Sequence, residues 1–158
     1  MAMDDKKMNN LDFFSSFLKE RFPGQQVRYN AVANKIGISP QTLSAVLRRD
    51  DAQVSTMIRY FAAFGYSLLL HCHKDLPPLA RPVPISSQAG PLAEVVHILL
   101  SLGATVHSVA QTVGVDHSVI DRMFHKGDVR ISVLNRIANT YNISLEWTWY
   151  PLSFTLCV

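Results

Sequence analysis

The stretch VANKIGISPQTLSAVLRR, Val32 to Arg49, decides the fold. Val32, Ala33 and Ile36 have helical spacing, and Leu43, Val46 and Leu47 resume it after a break. Gly37, Ile38, Ser39 and Pro40 fill that break. Glycine takes the left-handed conformation that ends a helix without a Cβ clash. Ser39 then suits the cap of a second helix. Pro40 suits its first position, where a missing N–H removes no helical bond. Ile38, the one apolar residue of the turn, is expected to fill the corner. The outline is a helix-turn-helix.

The same outline recurs. SVAQTVGVDHSVIDRMF, from Ser108, lies under AVANKIGISPQTLSAVL at a shift of 77 residues without a gap. Val109, Ala110 and Gly114 match Val32, Ala33 and Gly37; Ile120, Met123 and Phe124 match Leu43, Val46 and Leu47. The match continues through Ile131-Ser132 on Val54-Ser55, Arg136 on Arg59 and Ser144-Leu145 on Ser67-Leu68. Identities are few, but the apolar positions agree, which implies a tandem duplication. Asp116 takes the cap place of Ser39, and Thr105 can cap the helix before it. Each copy is expected to begin with a helix: Leu11, Phe14, Leu18 and Phe22 in the first, Leu92, Val95, Val96 and Leu99 in the second. A further helix follows each motif, with Ser55 or Ser132 as the expected cap and Gly65 or Asn142 as the stop.

After that helix the period changes. SLEWTWY alternates Leu145, Trp147 and Trp149 with polar residues, and SLLLHCH places Leu68, Leu70 and Cys72 at the matching positions. Each copy therefore ends in a strand. A lone strand is unstable, so these two pair with each other or with a second chain, burying all six of those side chains. The chain divides into a polar tail 1–10, a first unit 11–74, a Pro-rich connector 75–90 and a second unit 91–158 with an apolar tail. Extended at about 3.1 Å per residue, the connector reaches roughly 45 Å over 15 residues.

The 158 residues are 48% hydrophobic and 17% charged, which is enough for a packed core. No apolar run is long enough for a membrane span, and the polar N-terminus lacks a signal peptide's apolar stretch. Two cysteines, Cys72 and Cys157, do not make a disulfide framework and fit a reducing cytoplasm. In HCH, His71 and His73 share one strand face and Cys72 takes the other, so the three do not converge on a metal. No nucleophile–base set or phosphate-cradling glycine loop is present. No enzyme activity, cofactor or metal is expected.

These residues resemble the Cro and phage-repressor family of helix-turn-helix proteins, over about Arg28 to Leu68 and less cleanly over the second copy. The closing strands are similar to those of antitoxin-type repressors whose dimers share a two-stranded sheet. The resemblance implies a mainly α fold: two tandem five-helix-type units, each with a closing strand. The chain then looks like such a dimer fused into one polypeptide. It also implies a sequence-specific transcriptional regulator that binds double-stranded DNA. The family lays its second motif helix in the major groove. By position, that assigns DNA contacts to Ser39, Gln41, Thr42, Ser44, Ala45, Arg48 and Arg49, with Arg28 and Tyr29 opening the preceding helix. The second copy offers His117, Ser118, Arg122 and Lys126. Leu68, Leu70, Leu145, Trp147 and Trp149 fall to the interface strands.

Glutamine suits adenine, and arginine suits phosphate. From Leu11 to Lys74 there are eight Lys/Arg against four Asp/Glu, but from Pro91 onward four against five. Asp116 and Asp121 also fall on the second copy's motif helix. The first copy is therefore the expected reader, and a dimer of chains would engage two half-sites. The rival reading is an antitoxin-like or accessory module that docks a protein through its second copy.

Overall fold

The computed structural model describes residues 9–21, 29–74 and 91–152. It is mainly helical with one small antiparallel sheet. The first half contributes α1 (Asp12–Arg21), α2 (Tyr29–Ile36), α3 (Pro40–Arg49), α4 (Val54–Ala63) and β1 (Tyr66–His73). The second contributes α5 (Ala93–Ser101), α6 (Val106–Val113), α7 (His117–Lys126), α8 (Ile131–Tyr141) and β2 (Ser144–Pro151). Each half thus shows four helices among the described residues, where five were expected. Phe22, Arg28, the connector at 75–90 and the apolar tail from 153 lie outside the described residues. No described helix is long and apolar enough to cross a bilayer by itself.

The motif turns follow from local chemistry. Gly37 and Gly114 are left-handed, with φ of +87° and +78°. In each turn the glycine N–H and the next N–H both return to one carbonyl, Ala33 or Ala110. Ser39 Oγ accepts from Thr42 N, Asp116 from Ser118 N, and Thr105 from Ser108 N in a reciprocal capping box. Ile38 and Val115 pack partly buried against the core, as corner residues should.

The caps of α4 and α8 differ from expectation. Their cap residues are Gln53 and Arg130, and neither side chain makes a cap bond. Ser55 and Ser132 are the second residues of their helices and act as donors. Asp128 Oδ1 accepts from Ser55 N at 3.0 Å, and its Oδ2 from Ser55 Oγ at 2.9 Å. Asp51 accepts from Ser132 N at 3.0 Å and Ser132 Oγ at 2.6 Å. Each half therefore supplies the carboxylate that closes the other half's helix. A carboxylate there also complements the positive end of the helix dipole.

These bonds reveal a pseudo-two-fold axis. Gln53 and Arg130, equivalent under the 77-residue shift, form an antiparallel bridge. Val54 N donates to Val129 O, and Ile131 N to Ala52 O, at 2.9 Å each. At the other end of α4 and α8, about 15 Å away for a ten-residue helix, β1 pairs with β2 inside the chain. There Leu70 faces Trp147, again equivalent residues. Leu68 faces Trp149 and Cys72 faces Leu145.

One hydrophobic cluster runs through both halves. The first helix of one half packs on the strand of the other. Phe13 stacks on Trp147 with centroids 4.6 Å apart, and Phe17 meets Trp149 edge-on at 5.6 Å. Phe17 and Phe61 approach to 4.4 Å, completing an aromatic centre that the sequence pattern did not assign to Phe17. Of the six strand side chains expected inside, only Leu68 and Leu70 are buried. Cys72, Leu145, Trp147 and Trp149 are half-buried, because a two-stranded sheet has only helices on one side to cover four large groups at its rim. On the Cys72 backbone, N–H donates to Glu94 Oε2 of α5 at 3.0 Å. Burial, aided by Glu94, pushes the thiol up to about 12, so it stays protonated at neutral pH.

Candidate nucleic-acid interface

Leu43 and Val46 turn one side of α3 into the core, leaving the other side free. Ser39, Gln41, Thr42, Ser44, Arg48 and Arg49 are exposed, and Ala45 is half-exposed. Ser39 Oγ and Thr42 Oγ1 lie 2.8 Å apart, so the first turn presents two linked hydroxyls beside the Gln41 amide. Two acids follow at the far end, and Asp51 is engaged by Ser132 while Asp50 is turned away. It sits in the left-handed region at φ 53° and accepts from Asn10 N at 2.7 Å and Leu11 N at 3.0 Å, fixing the start of α1. The ion pairs among the described residues include neither Arg48 nor Arg49. Tyr29 opens α2 and is 51% exposed. Arg28 lies outside the described residues.

Sequence reasoning passed over Arg59. Burial raises Tyr60 above the ordinary phenol value, and the Arg59 and Arg49 guanidiniums oppose that shift, so both cations lie within electrostatic reach of one hydroxyl. The signal in sequence was only that Arg59 recurs as Arg136. Arg130 was also missed. It is exposed on the axis, with Asp51 Oδ2 3.8 Å away. Nothing in its local pattern marks it, because the axis is a long-range feature.

On α7 the matching side chains have internal partners. Ser118, the counterpart of Gln41, donates its backbone N–H to Asp116 at 3.0 Å and its hydroxyl to the same oxygen at 3.1 Å. Those two bonds, with His117 nearby, hold the Asp116 carboxyl below its usual range. His125 Nδ1 lies 3.2 Å from Asp121 Oδ1. Arg122 reaches Asp128 Oδ2 at 3.5 Å. His117 and Lys126 are exposed, and no ion pair among the described residues takes them. The α3 surface is therefore polar and cationic, with Gln41, Arg48 and Arg49 unpaired among the described residues, and the α7 surface is mixed in charge and largely self-satisfied.

Leu68, Leu70, Leu145, Trp147 and Trp149 come together in the sheet. His71 and His73 are exposed on its outer face, and no described group of three His, Cys, Asp or Glu is arranged to hold a metal. An open groove of about 830 Å³ lies between α1, α8 and β2, with Asn9, Asn135, Asn139 and Glu146 on its rim and Trp147 in its wall. Compared with family models, with characterised proteins and with solved structures, the chain matches none.

Proposed function

We propose that the chain is a sequence-specific, duplex-DNA-binding transcriptional regulator built from two tandem Cro/repressor-like units, with α3 as the helix that enters the major groove. The observation that carries this reading is the outer face of α3. A capped helix presents Gln41, Thr42 and Ser44 near its start and Arg48 and Arg49 at its end, while the two acids that follow it, Asp50 and Asp51, are held by Asn10, Leu11 and Ser132. Gln41 has the bidentate geometry for adenine, and Thr42 has both a hydroxyl and a methyl for base edges. The arginines, with Arg59, supply sequence-independent attraction to phosphate. Such a protein acts by occupying an operator in the compartment that holds the DNA.

Binding to a random duplex pool, followed by gel shift at several salt concentrations, tests the reading. About four to six phosphate contacts make log K fall against log salt with a slope of roughly −4 to −5. Gln41→Ala is expected to lose about 1–3 kcal/mol of specific binding, whereas Ser118→Ala changes little, since its hydroxyl is tied to Asp116. A flat salt response, or no duplex binding at low salt, would overturn the reading. It would favour the rival, a protein-docking module, for which the exposed Asp116 and Asp121 on α7 are the supporting feature.

A further inference from the structure

Counted along the chain, the second half is slightly acidic. In space, the acids nearest the axis turn inward. Asp50 binds the start of α1, Asp51 binds Ser132, and Asp128 binds Ser55. The Asp51 and Asp128 side chains are only 17% and 11% exposed. The neighbouring cations are exposed, Arg130 with Asp51 Oδ2 3.8 Å away. Arg48 and Arg49 end α3, Lys126 ends α7, and Arg130 stands on the axis with its side chain 52% exposed. The Gln53–Arg130 bridge joins the loops that follow α3 and α7, which brings the ends of both helices, and the residues carrying these four cations, to the junction of the halves. Their charge complement is a polyanion long enough to run under both halves. A second chain is not needed to complete the arrangement, because β1 and β2 already pair with each other.

Resting on the DNA reading above, the geometry points to a single chain straddling one duplex. The α3 helix reads bases in one major groove, and Arg48, Arg49, Lys126 and Arg130 follow the backbone towards α7. The operator then has two unequal half-sites. This departs from the dimer of chains that the charge count along the sequence suggests.

The test uses the full chain and a duplex selected by it. Sedimentation equilibrium is expected to give one chain per duplex. The double variant Lys126→Gln/Arg130→Gln is expected to shallow the salt slope by about 2 and to weaken binding alike on all sequences. Lys126→Arg/Arg130→Lys keeps the charges and is expected to retain the wild-type slope, which separates lost charge from a damaged fold. Two chains per duplex, or an unchanged slope in the double glutamine variant, overturns the single-chain clamp and leaves the α3 reading standing. No duplex binding by the wild-type chain at low salt overturns the α3 reading itself, and the clamp with it.

Discussion

Asp128 is the one buried polar residue among those described, and it carries more bonds than its sequence context suggests. It takes both the backbone N–H and the hydroxyl of Ser55, and Arg122 approaches the same carboxylate. Removing it leaves a helix N-terminus without an acceptor and a hydroxyl without its partner. Asp128→Ala is therefore expected to cost about 2 kcal/mol, at the upper end of a lost cap. Asp51→Ala should behave similarly, because Ser132 depends on it in the same way. Urea denaturation of the two variants checks this. Ser55→Ala should cost less than Asp128→Ala, since it removes a donor and leaves the backbone N–H bonded. A pair of equal losses would show that the hydroxyl bond, not the helix-end contact, matters.

The helix-turn-helix was legible at the level of elements because every signal for it is local. Gly37, Ser39, Pro40 and the apolar spacing all act within a few residues. The caps of α4 and α8 were not legible. Ser55 and Ser132 lie two residues past the caps, and their acceptors lie 73 and 81 residues away in sequence. The packing of α1 against β2 was hidden for the same reason, since no period within Phe13 to Phe17 names Trp147 or Trp149 as neighbours. In the candidate site, the outward set on α3 could be read from helical geometry alone. The internal engagement of Ser118, Arg122 and His125 could not, because it depends on rotamers and on the Asp128 loop. A pH prediction belongs to α7. Asp116 is ionised more readily in the folded chain, mainly through the Ser118 N–H. Its contribution is therefore complete above the ordinary carboxylate pKa and is lost as the pH falls through the depressed one. The stability gap between wild type and Asp116→Ala is expected to be constant near neutrality and to close as the pH falls below the ordinary carboxylate range. Urea midpoints across that range measure it, and a gap that widens on acidification would contradict the assignment.

At the scale of the molecule, the halves exchange too much to act separately. They share a core, a sheet, two carboxylate caps and the α1–β2 aromatic contact. Both tryptophans lie on β2, so their fluorescence reports the second half directly and the first half only through coupling. Unfolding is expected to be a single transition in which tryptophan fluorescence and far-ultraviolet dichroism coincide. Phe61→Ala in the first half, at about 3–5 kcal/mol for a fully buried phenylalanine, should move both signals together. Two separated transitions would show that the halves fold independently.

The residues on the pseudo-two-fold axis have one further consequence. In an assembly of two identical chains, a side chain on the axis always meets its own image, so it must tolerate itself. Arginine against arginine would repel, and two indoles across one strand pair would compete for one space. Here the axis pairs are Gln53 with Arg130 and Leu70 with Trp147, a neutral amide beside a cation and a small side chain beside a large one. Because both halves lie in one polypeptide, no demand for self-complementarity arises at these places. The chain is thereby free to carry charge and bulk on one side of its centre only, and its two ends need not be interchangeable to whatever molecule they meet.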